Sequence, residues 1–258
     1  MIAMGQLLKK LHRIFYFAAV LFCFIPLYPF LWLASKNVER HFSFIVWCRH
    51  LVGFLSSWLA GFFYRYEFEE PIDWSRNYVI VANHTSNLDT TALVLLVKND
   101  FSFMGKHELL NNLVTGMFFR TIDIPVNRSS KISAFKAFKR ADNLLREGKS
   151  VVIFPEGRIT DTYPPLLQDF KNGAFKLAIE LDIPILPVVI QDAWRLFWDD
   201  GQPLGSRPGI CHINVLKPIN THELHDADAD ALKDKVHQLF ADHWVVQAPV
   251  TNLLTGRL

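Results

Sequence analysis

The sequence predicts an α/β domain, a mixed sheet with helices on both faces, preceded by an N-terminal membrane-associated helical hairpin. Three observations carry that expectation. An apolar stretch without a charge, Ile14 to Ala34, lies near the start of the 258-residue chain. Beyond it, short β-forming runs alternate with segments of helical spacing. Two of those runs, Ser150–Phe154 (SVVIF) and Ile185–Ile190 (ILPVVI), are apolar throughout, the pattern of strands covered on both faces. The expected division is a hairpin over residues 1–65 and an α/β domain over residues 66–258.

At about 1.5 Å per residue, the first stretch is long enough to match roughly 30 Å of hydrocarbon. Lys9, Lys10 and Arg13 precede it. It is longer than the apolar core of a secretory signal, and no small-residue cleavage site follows, so the segment is expected to be retained. Pro26 and Pro29 should break any straight helix. A second apolar segment, Phe42 to Tyr64, carries Arg49 and His50 near its middle, and charges there are costly in bare lipid. Tyr28, Trp32, Trp47, Trp58 and Tyr64 suit a membrane interface. The pair spans, or it dips into one leaflet; a helical layer buried in a soluble protein is the alternative. In both membrane cases the rest of the chain stays on one side.

The remaining elements follow in order. Glu67–Asn77 (EFEEPIDWSRN) is polar and turn-like, and Tyr78–Ala82 is a short buried strand. Asp89–Val97 has helical spacing, with Thr85, Ser86 or Asn87 as its cap. Phe101–Gly105 is a strand, Glu108–Phe119 a helix interrupted by Gly116, and Ile122–Val126 a short β segment. The clearest helix runs from a cap at Ser130 or Ser133 to Gly148, with Phe135, Phe138, Leu144 and Leu145 on its apolar face. After the strand at 150–154 come a helix at Lys171–Glu180, a strand at 185–190, a strand at Ile210–Leu216 and a helix at Ala229–Val246.

Composition excludes several classes. A net charge of only +2 argues against nucleic-acid binding. Cys23, Cys48 and Cys211 are far apart, which fits neither a disulfide framework nor a zinc site. Half of the residues are hydrophobic and the mean hydropathy is +0.15, with the excess concentrated before residue 65.

In α/β folds ligands sit at the carboxyl ends of strands. Three such places are unusually polar here. After Ala82 stands NHTSNLD, with His84 five residues before Asp89. On one helix that spacing is about 140° of rotation and the side chains would not meet. They meet if His84 precedes the helix and Asp89 lies in its first turns. The carboxylate then binds one imidazole nitrogen and leaves the other to take a proton. A lone histidine at a strand end is more often structural. The second place is FPEGR, Phe154–Arg158, an arginine beside a backbone that Gly157 leaves open. The third is IPVNR, ending in Arg128, and Lys106 is a further cation after FSFMG. Cations converging on one end of a sheet suit a phosphate monoester.

Taken together the blocks resemble the glycerolipid acyltransferase family. NHTSNLD contains its H-x4-D box, IPVNR is similar to its second motif, FPEGR to its third and ILPVVI to its fourth, in the same order. KNGAFKLAIE (Lys171–Glu180) is similar to the helix before the fourth block, and the resemblance covers about residues 77 to 221. It implies a 1-acyl-glycerol-3-phosphate acyltransferase at the membrane, with its domain on the cytoplasmic face. The acyl group would pass from acyl-CoA or acyl-carrier protein to lysophosphatidic acid, with no cofactor and no metal. His84 would be the general base and Asp89 its orienting carboxylate. Arg128 and Arg158 would hold the acceptor phosphate, with Glu156 and Gly157 shaping that site and Lys106 nearby. Two departures bear on the acceptor: Arg158 follows Gly157 without the usual small hydroxyl residue, and Asn127 precedes Arg128 where an aspartate is common. The first variant also occurs in relatives that act on other lysophospholipids.

Rival readings are specific. Ser86 as a nucleophile lacks a G-x-S-x-G elbow. A non-catalytic binder of anionic lipid would need only a basic face. From Arg128 to Lys149 seven Lys/Arg stand against Asp142 and Glu147. Such a stretch is a solvated helix face, or it meets anionic lipid, the phosphates of coenzyme A or an acidic carrier protein. His222, His225 and Asp226 (HELHD) raise a metal reading, but their acidic surroundings fit a solvated cap.

Overall fold

The computed structural model describes residues 2–159, 162–198 and 205–244. The chain starts with α1 (Ile2–Phe24). Pro26 lacks the N–H that would continue it, so a 3-10 turn at Ile25–Leu27 leads into α2 (Tyr28–Ala34), with Pro29 in its first turn. A second 3-10 turn, Ser35–Asn37, opens α3 (Val38–Ala60), where Asn37 accepts from Arg40 N and His41 bends the axis. Gly61, at φ 71°, ends α3 in a left-handed cap.

Helical spacing runs to Tyr64, but the helix stops at Ala60 and β1 occupies Phe62–Phe68. Only Gly fits at the corner: a Cβ at Gly61 would lie 2.9 Å from Pro208. The same strand takes Glu67 and Phe68 from the turn-like segment. Its partner is nearly 150 residues away, so local sequence carries no sign of the pairing.

Six further strands complete the sheet: β2 (Val79–Ala82), β3 (Phe101–Lys106), β4 (Ile124–Val126), β5 (Ser150–Ile153), β6 (Ile185–Ile190) and β7 (Gly209–Val215). Their order is β1-β7-β6-β2-β5-β3-β4. All neighbours are parallel except β6 and β7, so the sheet is mixed. The intervening helices are α4 (Asn87–Leu96), α5 (Leu113–Arg120), α6 (Lys131–Arg146), α7 (Gly173–Glu180), α8 (Ala193–Leu196) and α9 (Ala229–His243). The end of the last expected helix, Val246, lies outside the described residues. The helix expected at Glu108–Phe119 is broken at Asn112, whose side chain accepts from Val114 N and Thr115 N and caps α5; Gly116 is inside the helix. Lys171 is not yet helical, because its N–H donates to Pro155 O.

Connections β2→β3 and β3→β4 run one way across the sheet, and β4→β5 and β5→β6 run back. With right-handed crossovers, α4 and α5 cover one face and α6 and α7 the other. The hairpin joins the first layer, with α1 on α3 and α3 on α4, while α9 packs on α7.

What holds the hairpin to the domain is polar. Arg49 Nη1 donates to Asp123 Oδ1 at 2.7 Å and Nη2 to Phe101 O at 2.8 Å, with the guanidinium 4.1 Å from the Phe101 ring centre. His50 bonds Val97 O, and Ser43 Oγ donates to Asp100 Oδ2. Of the two groups that made α3 unsuited to lipid, Arg49 is thus buried against the sheet and His50 is half-buried. The outer surface of the hairpin remains apolar and exposed, including Ile14, Phe22, Phe30, Leu33 and Trp58. Removing Arg49 leaves a buried aspartate unpaired. Arg49→Met is expected to lower unfolding stability by about 3–5 kcal/mol. Adding Asp123→Asn should recover most of that loss, as read by denaturant titration in detergent.

Candidate active site

β2 lies mid-sheet, and the connections that leave β2 and its neighbour β5 go to opposite faces. This is the switch point at which an open α/β sheet forms a crevice beyond its carboxyl ends. His84 and the Phe154–Arg158 stretch both lie there.

Immediately after β2, Asn83 locks the chain end. Its Nδ2 donates to Ile190 O at 2.8 Å and its Oδ1 accepts from Ile190 N at 2.7 Å. His84 follows, and Ser86 caps α4. Asp89 is the third helical residue and completes a capping box with Ser86. One carboxylate oxygen, Asp89 Oδ2, accepts from Thr85 N at 2.6 Å, Ser86 N at 2.8 Å and His84 Nδ1 at 3.2 Å. A carboxylate only accepts, so Nδ1 carries the proton of this bond and Nε2 is the ring nitrogen turned away from Asp89. The Phe154 ring stacks on the imidazole, with centroids 3.9 Å apart and planes 13° from parallel. His84 is therefore held by its edge and its face.

Glu156 sits under this turn. Its Oε1 accepts from His84 N at 2.7 Å and its Oε2 from Gln168 N at 2.9 Å. Burial pushes its carboxyl up to about 7, against the lowering effect of those two backbone N–H groups; Asp89 adds a smaller upward push. Gly157, at φ 77°, has the Lys171 side chain directly above it: a Cβ there would approach Lys171 Nζ to 2.9 Å.

The predicted cations come to the same end of the sheet. Lys106 ends β3 opposite Val126, Arg128 is two residues past β4, and Arg158 follows Gly157 after β5. All three are exposed. Partial burial lowers the Arg128 guanidinium from its ordinary value, and Glu108 opposes that shift. Among the described residues none of the three pairs with a carboxylate. The structure thus joins His84, Asp89 and Glu156 by direct bonds and puts Lys106, Arg128 and Arg158 at the same end of the sheet.

Sequence reasoning missed Phe154 and Lys171 as parts of this site. Phe154 reads as the last residue of a strand, and Lys171 as the first of a helix. The available signal is the Gly at 157, which marks a close approach without naming the side chain that makes it. Ser86 is committed elsewhere: its Oγ donates to Phe197 O at 2.7 Å and accepts from Leu88 N. His222 bonds Asp182, and His225 caps the 3-10 turn Asp226–Asp228. Among the described residues no three His, Cys, Asp or Glu side chains converge as a metal set.

A family model described as Acyltransferase matches residues 64–191, which include every site residue above. The chain is 31% identical to human 1-acyl-sn-glycerol-3-phosphate acyltransferase beta over 215 residues, 79% of this chain and 71% of that one. It belongs to the glycerolipid acyltransferase family. An uncharacterized acyltransferase of Schizosaccharomyces pombe is 30% identical over 71% of the chain, and the mouse 1-acyl-sn-glycerol-3-phosphate acyltransferase alpha 31% identical over 62%. The chain spans 65% and 55% of the lengths of those two relatives. The fold matches the crystal structure of the 1-acyl-sn-glycerophosphate acyltransferase PlsC from Thermotoga maritima at a TM-score of 0.70 and 20% identity, covering 94% of this chain and 97% of that one.

The raised Glu156 carboxyl has a consequence for stability. The folded state keeps this proton up to about pH 7, whereas an exposed glutamate releases it near 4.3. Stability is then lost as pH rises between those values, on the order of 3 kcal/mol in full. Glu156→Gln is expected to flatten the pH 5–7.5 part of the stability curve relative to wild type, measured by thermal unfolding across pH.

Proposed function

We propose that the protein is a 1-acyl-sn-glycerol-3-phosphate O-acyltransferase, moving a fatty acyl group from a thioester donor to the sn-2 hydroxyl of lysophosphatidic acid to give phosphatidic acid. The observation that carries this reading is the His84 ring, held through Nδ1 by Asp89 and by the Phe154 face at the switch point of a sheet whose same end bears Lys106, Arg128 and Arg158. The four-block resemblance and the named relatives support it.

In this reading the arginines grip the acceptor phosphate, Arg158 and Arg128 foremost, with Lys106 beside them. The anchored acceptor brings its hydroxyl to His84. Nε2 takes the hydroxyl proton as the oxygen attacks the thioester carbonyl, and Asp89 stabilises the imidazolium that forms. Collapse of the tetrahedral intermediate breaks the carbon–sulfur bond, and His84 returns the proton to the departing thiolate. Glu156 acts through the backbone of His84 and Gln168, a positioning role, and Gly157 leaves room for Lys171. Holding two amphiphiles at one interface adds the gain of proximity.

The hairpin supports membrane association in one leaflet. Arg49 and His50 fasten α3 to the sheet, so the pair cannot leave the domain to cross a bilayer, while its outer face offers apolar and aromatic side chains to lipid. With acyl-CoA or acyl-carrier protein as donor, both cytosolic, the catalytic end lies on the cytoplasmic face.

His84→Ala is expected to lower kcat by about 10²–10⁴, with unfolding and vesicle co-sedimentation unchanged. Near-normal turnover would sink the assignment of the base. Assayed against a panel of lysophospholipids, the wild-type protein is expected to acylate lysophosphatidic acid; a preference for another head group would move the reading to a different acceptor in the same family.

A further inference from the structure

The strongest feature that the site does not use is the first half of α6. Its buried face is Ala137, Ala141, Leu144 and Leu145. At about 100° per residue, Lys131, Ile132, Phe135, Lys136 and Lys139 share an arc of about 140° on the other side. All five are exposed, Ile132 at 71% and Phe135 at 70%. Phe135 therefore lies outside the apolar face that the sequence pattern assigns it to. Further along the helix charge is balanced, Arg146 by Asp142 and Lys149 by Glu147. In the first two turns it is not: among the described residues Lys131, Lys136 and Lys139 pair with no acid. Arg128 precedes them, with only Glu108 acting on its charge.

Two large apolar side chains set among unpaired lysines suit either a lipid surface or an acidic protein. Topology separates these. The lipid-facing hairpin packs on α4, on one side of the sheet, whereas α6 lies on the other. A membrane under the hairpin is on the wrong side for the α6 face. Moreover, α6 starts after the carboxyl end of β4, so it begins at the same end of the sheet as the crevice.

We propose that this half of α6 docks a soluble acidic protein that carries the acyl chain as a thioester. Ile132 and Phe135 are its apolar anchors and the lysines pair with its carboxylates. This inference rests on the acyltransferase reading above and names how the donor is presented.

The test uses the full-length protein with lysophosphatidic acid and two donors, palmitoyl-acyl carrier protein and palmitoyl-CoA. Lys131→Glu/Lys136→Glu/Lys139→Glu is expected to raise KM for the protein-borne donor about tenfold or more, with kcat retained. Ile132→Ser/Phe135→Ser should do the same without changing charge. KM for palmitoyl-CoA and co-sedimentation with phosphatidylglycerol vesicles should not change. The five side chains are exposed, so unchanged thermal unfolding confirms an intact fold. An equal rise for both donors would assign the face to the phosphates of coenzyme A, and lost vesicle binding would assign it to lipid; either overturns the proposal. Activity with palmitoyl-CoA alone also overturns it and leaves the acyltransferase reading standing. Activity with neither donor overturns both.

Discussion

One carboxylate oxygen carries most of the local order at the site. Asp89 Oδ2 accepts two backbone N–H groups of the turn that starts α4 and the imidazole Nδ1–H of His84. The Ser86 bond satisfies a donor that the helix N-terminus leaves unpaired, the Thr85 bond ties in the residue before the cap, and the helix dipole favours a negative charge at that place. The third sets the tautomer of the histidine. Helix capping and imidazole orientation are therefore a single interaction. The H-x4-D spacing is its sequence form: a histidine two residues before the cap and an aspartate three residues after it.

A second carboxylate supports the same turn from β5. Glu156 reaches from the turn after β5 to the backbone of His84 and of Gln168, and it is buried at the cost of a strongly raised pKa. With Phe154 stacked on the imidazole, the turns after β2 and β5 form one unit across the switch point. Rigid support of this kind leaves His84 Nε2 as the part of the turn free to meet a ligand. The cations at this end of the sheet, Lys106, Arg128 and Arg158, are exposed.

The hairpin depends on a different balance. Arg49 is removed from water altogether, and its desolvation is offset by Asp123, by Phe101 O and by two aromatic faces. An arginine in an apolar helix thereby becomes the bolt between the membrane-facing layer and the start of β3 and β4. These contacts tie the apolar face of the hairpin to the sheet that carries the crevice. On the other side of the sheet, α6 presents a basic surface with two apolar residues to the water.

Local patterning determined a great deal here. The apolar runs at Val79–Ala82, Ser150–Ile153 and Ile185–Ile190 and the cap at Ser86 are visible because burial on both faces and capping leave marks within a few residues. The His84–Asp89 contact was legible for the same reason, as was the breaking of the first helix at Pro26. Only the tertiary structure decided the rest. β1 exists because a distant strand pairs with it, and no run of seven residues can announce a partner so far along the chain. Phe154 meets His84, and Lys171 covers Gly157, because parallel strands bring separate turns to one end of the sheet. Whether Arg49 faces lipid or protein depends on an aspartate 74 residues away. Contacts set by short-range periodicity could be read from the chain; those set by strand order could not, since order is fixed by packing among all of the elements at once.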